Sequence, residues 1–132
     1  MGRFSLTVDA PSDGRTFIQA LESAEALLEK NIEEINAINV FPVPDGDTGI
    51  NMYLTLQSAT TAAKNLTISS AAEVSAKVAH GALLGARGNS GVILSQILRG
   101  IAWGLEMKER FSPADFAHAL HCAYETALPC RG

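Results

Sequence analysis

DGRTFIQALESAEALLEKNIEEINAI, residues Asp13–Ile38, is the stretch from which the fold is read. Its apolar residues fall at Phe17, Leu21, Ala24, Leu28, Ile32, Ile35 and Ile38, in steps of three and four. That spacing follows the turn of an α-helix and gathers them on one face. Glu22, Glu25, Glu29, Glu33 and Glu34 point largely elsewhere, as expected of a solvated face. Ser12 or Asp13 can cap the free N–H groups at the start. The helix has to stop before Pro42, whose ring removes a donor and clashes with the preceding turn.

Upstream, residues 1–12 read as an arm. Phe4, Leu6 and Val8 alternate as in a short strand that Pro11 closes. Downstream, the same helical pattern returns. A second helix is expected over about Ile50–Lys64, with Met52, Leu54, Leu56, Ala59 and Ala63. Ser69 or Ser70 can cap a third over Ala71–Leu84. After the turn Gly85-Ala-Arg-Gly-Asn-Ser-Gly91, a fourth is expected over about Val92–Met107, with Leu94, Ile97, Ile101 and Leu105 inward. Ser112-Pro113 reads as a cap plus first-turn proline opening a fifth to about Leu128. No strand alternates with these helices, so the expected class is all-α, one antiparallel helical domain over residues 13–132. Trp103 and the apolar stripes are assigned to its core.

Glycines recur inside the helices. Gly81, Gly85 and Gly88 step by four and three, and Gly100 and Gly104 by four. Each interior glycine costs about 1 kcal/mol relative to alanine, so close approach of a neighbouring helix or a ligand is expected there. Packing is the favoured reading for Gly81, Gly100 and Gly104.

Composition sets the outer bounds. The 132 residues are 47 % hydrophobic and 18 % charged, which excludes a disordered chain. Ten basic against 14 acidic residues give a net charge of −4, which argues against nucleic acid as a partner. No apolar run approaches the roughly 20 residues of a membrane span. The opening MGRFSLTVDAPSDGR lacks the apolar core of a signal peptide, and Leu6 breaks a myristoylation pattern. Cys122 and Cys130 do not form a CxxC pair. A cytoplasmic protein is the resulting expectation.

The segment Pro44-Asp45-Gly46-Asp47-Thr48-Gly49 carries the strongest chemistry. Two carboxylates one glycine apart, on a proline-led loop, can converge on a hard cation such as Mg2+. Thr48 adds a hydroxyl, and Gly49 opens a helix whose first N–H groups favour phosphate. A plain tight turn, with Asp47 or Thr48 capping that helix, reads the same residues equally well. An EF-hand starting at Asp45 is disfavoured, because its twelfth position is Leu56.

Gly85-Ala-Arg-Gly-Asn-Ser-Gly91 can form an anion cradle of backbone N–H groups. It can also be a helix C-cap followed by an Asn89 or Ser90 N-cap. It is neither a Walker A loop nor a Rossmann turn, and Ser90 lacks the GxSxG signature. His118 and His121 have metal-compatible spacing but read as surface residues, and His80 precedes the glycine seam.

Asn39-Val-Phe-Pro-Val-Pro-Asp-Gly-Asp-Thr-Gly-Ile-Asn-Met52, together with Gly85-Ala-Arg-Gly-Asn-Ser-Gly-Val-Ile-Leu-Ser-Gln96, resembles the N-terminal kinase domain of bacterial fatty acid kinases. That domain falls within the dihydroxyacetone kinase L-subunit (DhaL-like) family. The resemblance runs from about Ser12 to about Leu128. It implies a barrel of amphipathic helices holding ATP and Mg2+ at one end. It implies Asp45 and Asp47 as metal ligands bridging ATP phosphates, with Thr48, Gly49 and Asn51 beside them. Gly88, Asn89, Ser90 and Gly91 would contact the phosphates. Related dihydroxyacetone kinases carry a third aspartate just before the pair; here Asn39 stands in that neighbourhood and offers a neutral oxygen to the metal. The family domain has about eight helices and this sequence supplies about five, so a C-terminally incomplete domain is expected.

The resemblance implies an ATP-dependent phosphotransferase that converts a fatty acid, presented by a carrier protein, to an acyl phosphate. A carboxylate acceptor is already ionised and needs no general base, and no catalytic base is apparent. A kinase for dihydroxyacetone is the alternative within the enzymes. A non-catalytic helical module that self-associates through exposed faces is the alternative outside them.

Overall fold

The computed structural model describes residues 11–40 and 44–131. The expected strand at Phe4, Leu6 and Val8, and the stop at Pro42, lie outside them. Among the described residues there are six α-helices: α1 Gly14–Lys30, α2 Ile32–Ala37, α3 Thr48–Ala63, α4 Ala71–Gly85, α5 Gly88–Gly104 and α6 Pro113–Ala127. A 3-10 turn, Leu128–Arg131, follows. The class is all-α. Two short strands, β1 (Ser12–Asp13) and β2 (Arg110–Phe111), pair antiparallel with Ser12 opposite Phe111 and tie the start of α1 to the start of α6.

Local sequence chemistry sets most of these boundaries. The Asp13 carboxylate accepts from the amides of Arg15 and Thr16 at 3.0 and 3.1 Å and starts α1. Ser70 caps α4 through the amide of Glu73. Ser112 and Asp115 form a reciprocal capping box around Pro113 at the first position of α6. In that box the Ser112 amide donates to Asp115 at 2.9 Å, and Lys108 approaches the same carboxylate at 3.4 Å.

The single helix expected over Asp13–Ile38 is broken. Asn31 departs from helical geometry (φ −112°, ψ 11°), and its Nδ2 donates to the carbonyl of Leu27 at 2.8 Å. An asparagine side chain competes for backbone partners in this way, and α2 sets off as a separate short helix. The apolar stripe is therefore not continuous: Ala24 is exposed and Ile38 is 72 % exposed. The acidic face is not wholly solvated either. The Thr60 hydroxyl of α3 donates to Glu25, and the Tyr53 hydroxyl donates to Glu29 at 3.3 Å.

α3 lies centrally, with α1, α2, α4 and α5 all packed against it, and α6 packs along α5. The core is built largely from small residues: Ala59, Ala63, Ala71, Ala82, Ala119 and Ala123 are buried beside Leu56, Val74, Val78, Leu98, Ile101 and Leu105. Small side chains let helix axes approach closely. A Cβ on Gly81 would lie 2.5 Å from Cβ of Ala62, and one on Gly100 would lie 2.5 Å from Cα of Ala123. Gly85 in turn meets Ser58 and Gly104 meets Ala119, so the contacts run in opposite senses and mark α3/α4 and α5/α6 as antiparallel neighbours. Packing is thus the role of these glycines. At the base of α1, Phe17 meets Phe111 edge-on at 6.4 Å, and Phe111 meets Phe116 at 5.8 Å. Trp103, expected in the core, is 51 % exposed, with the Arg99 guanidinium 4.4 Å above its ring. It sits one residue off the α5 face that meets α6.

Gly100→Ala should lose about 1–3 kcal/mol of stability in chemical denaturation, because its methyl meets α6 backbone. A stabilised variant would show that α6 is not seated so closely. The Ser112 amide holds the Asp115 carboxyl below its ordinary value of 3.8, aided by the Ser112 hydroxyl and Lys108, against a smaller cost of desolvation. A lowered folded-state value means the stabilisation is complete above 3.8 and is lost as pH falls through the lower folded value. The stability gap between wild type and Asp115→Asn should be widest near neutrality and close in acid, as read from urea midpoints.

Candidate functional site

The site is built around the start of α3. Pro44, Asp45 and Gly46 are exposed, and Asp47 and Thr48 are partly buried. Gly46 takes φ +66°, the left-handed region that glycine enters freely, and turns the chain between the two acids. Their carboxyl groups come close together. The side-chain hydrogen bond with Asp47 is the main reason the Asp45 carboxyl is pushed above its ordinary value, with desolvation and the like charge adding. Two carboxyl groups brought this close offer oxygen donors to a small divalent cation.

Capping of α3 does not come from this loop. Asp47 occupies the N-cap position but makes no side-chain capping bond. Two asparagines from the α2 side supply the acceptors instead. Oδ1 of Asn39 accepts from the amides of Asp47 and Thr48 at 3.0 and 3.2 Å. Oδ1 of Asn36 accepts from Gly49 and Ile50 at 2.8 and 3.2 Å. Gly49 makes this possible, since a Cβ there would lie 2.5 Å from the carbonyl oxygen of Ile32. Four successive amides at the start of α3 are thereby engaged. The phosphate expected at these N–H groups finds them already engaged, and Asn39, expected as a metal ligand, instead spends its amide oxygen on two capping hydrogen bonds.

The glycine-rich turn also differs from expectation. Gly88, Asn89, Ser90 and Gly91 form the first turn of α5 rather than a loop before Val92. Arg87 is the extended N-cap residue (φ −129°, ψ 127°), and no side chain caps this helix. The amide of Gly91 closes on the carbonyl of Arg87 at 3.1 Å. Gly88 takes φ +68° and lies against Asn51, where a Cβ would come 2.5 Å from Nδ2. The amide of Asn51 bonds the carbonyl of Asp47 at 3.0 Å. The acid loop and the glycine turn therefore meet α3 one helical turn apart, about 5.4 Å along its axis.

The histidines stay outside this arrangement. His118 lies 3.6 Å from the Cys122 sulfur, and His121 pairs with Glu125 at 3.6 Å, on the exposed side of α6. Among the described residues no cluster of three or more His, Cys, Asp or Glu could hold a metal. The acid pair is a two-carboxylate site, a donor set that suits Mg2+ sharing its remaining positions with water and phosphate oxygens. Among the described residues no helix is long and apolar enough to cross a membrane.

The all-α bundle is consistent with a kinase-associated, dihydroxyacetone kinase-like domain. The model of the DAK2 domain family matches residues 42–132, and the chain belongs to that family. Protein YloV of Bacillus subtilis is 41 % identical over 115 residues, which is 87 % of this chain and 21 % of that protein. An uncharacterized protein of Staphylococcus saprophyticus is 39 % identical, and one of Staphylococcus epidermidis 38 %, over the same shares of both chains. The chain thus spans about a fifth of the length of these curated relatives.

No local sequence pattern points to Asn36, which caps α3 across 13 residues, or to Thr55, whose hydroxyl accepts from the Arg87 amide across 32. Asn36→Ala should cost about 1–2 kcal/mol, the scale of a lost helix cap, whereas Asn36→Asp should keep most of the stability. Denaturant midpoints of the two variants check this. Equal stability of Asn36→Ala and wild type would remove the asparagine from its capping role.

Proposed function

We propose that this chain is the nucleotide-binding helical domain, over residues 13–132, of an ATP- and Mg2+-dependent kinase. Its acceptor is the carboxylate of a fatty acid delivered by a carrier protein, and the product is an acyl phosphate. The observation that carries the reading is the division of labour at α3. Asparagines cap the helix, Asp47 makes no capping bond of its own, and Gly46 turns the chain between the two acids. An acid pair serving only as a turn would supply the cap itself.

In this reading Asp45 and Asp47 hold the metal, with the Thr48 hydroxyl beside them. Gly49 allows α2 to reach the helix start. The amides of Gly88, Asn89 and Ser90 at the uncapped start of α5 receive phosphate oxygens, favoured by the positive end of the helix dipole. Gly91 lets that turn sit close to α3, and Asn51 borders it at Gly88. Asn39 acts through its caps on Asp47 and Thr48. A bound Mg2+ supplies neutralisation of charge on the phosphoryl oxygens. The protein's own part is positioning and fixed electrostatics, and an ionised carboxylate acceptor asks for no proton to be removed. The neutral residue at Asn39, where dihydroxyacetone kinases carry an acid, favours the fatty acid reading over a hydroxyl acceptor.

Calorimetric titration with Mg-ATP tests the proposal. Wild type should bind. Asp45→Asn and Asp47→Asn should weaken Mg-ATP binding by about a hundredfold, on the scale of a lost charged ligand, with unchanged melting temperatures. Binding of equal strength in all three proteins would contradict the metal role.

A further inference from the structure

We infer that Thr55 is a positioning residue that pins the glycine turn of α5 to the helix carrying the acid loop. Its side chain is fully buried on α3. The hydroxyl donates to the carbonyl of Asn51 in its own helix at 2.8 Å and accepts from the backbone N–H of Arg87 at 3.1 Å. Arg87 is the residue from which α5 starts. The same oxygen lies directly beneath Gly91, so closely that any Cβ there would collide with it.

These contacts form two rungs. Asn51 meets Gly88, and Thr55, one turn further along α3, meets Gly91, about one turn along α5. The two helices run parallel through this contact, and both start at the same end of the bundle. The hydroxyl bonds the backbone of the α5 cap directly. Without it the Arg87 N–H loses its acceptor at a partly buried contact. The fold alone asks only for a small side chain at this position, since the methyl of Thr55 or Val would fill the same space. The hydroxyl adds register. It fixes how far the Gly88 turn stands from Asp45 and Asp47, and phosphate held between the two ends depends on that distance.

The inference rests on the nucleotide reading for its effect on binding, and on the hydrogen bond alone for its effect on the turn. Thr55→Val preserves shape and removes the hydroxyl; Thr55→Ser keeps the hydroxyl. Amide exchange of Arg87, followed in the whole chain against core amides such as Leu98, should accelerate about tenfold in Thr55→Val and remain near wild type in Thr55→Ser. Mg-ATP affinity should fall about tenfold in Thr55→Val and be restored in Thr55→Ser. Unchanged exchange of Arg87 in Thr55→Val, or equal acceleration in Thr55→Ser, would overturn the pin. If wild type binds no Mg-ATP, the nucleotide reading fails, and the exchange pattern alone sustains or overturns the role of Thr55.

Discussion

A helix start presents amide donors that must find acceptors, and the source of those acceptors at α3 governs the whole candidate site. Here the acceptors are two neutral oxygens, Oδ1 of Asn36 and of Asn39, each taking two successive amides. The acids that sequence order places at the helix start are relieved of that duty. Asp45 and Asp47 stay close to each other instead, a pair of acids whose mutual repulsion a cation would relieve. The arrangement depends on Gly49, where α2 backbone comes too near for a side chain, and on Gly46, which reverses the chain between the acids.

α3 is the common reference for everything else. Its first turn carries the acid loop, its second meets the start of α5 through Asn51 and Thr55, and its later turns seat α4 against Ser58 and Ala62. Helices packed on alanine and glycine sit at short axial distances and tolerate little shift. Such a scaffold suits a site with two separately anchored ends, one carrying carboxylates and one carrying free amide donors. Phosphoryl transfer asks for that kind of fixed charge arrangement more than for reactive side chains.

The elements legible from sequence were those specified within a few residues. Asp13, Ser70 and Ser112 cap the helices they precede, and the glycine steps at Gly81 and Gly100 mark close helix contacts. What depends on tertiary partners was not legible. Asn31 breaks a continuous apolar stripe by bonding a carbonyl four residues back. Trp103 falls on the outer side of α5, a matter of one residue in helix phase. The caps from Asn36 and the acceptor role of Thr55 span 13 and 32 residues of sequence, and no local pattern announces them. Start positions of α3 and α5 moved for the same reason, since both are set by contacts between distant segments.

The most direct measurement is paramagnetic line broadening of backbone amides by Mn2+, a spin-active substitute for Mg2+. Selective loss of the Asp45–Thr48 signals at the lowest metal concentrations, with Gly88 next, is the predicted result. Broadening that begins instead on the acidic face of α1 and α2, around Glu22, Glu33 and Glu34, would contradict a cation site between Asp45 and Asp47.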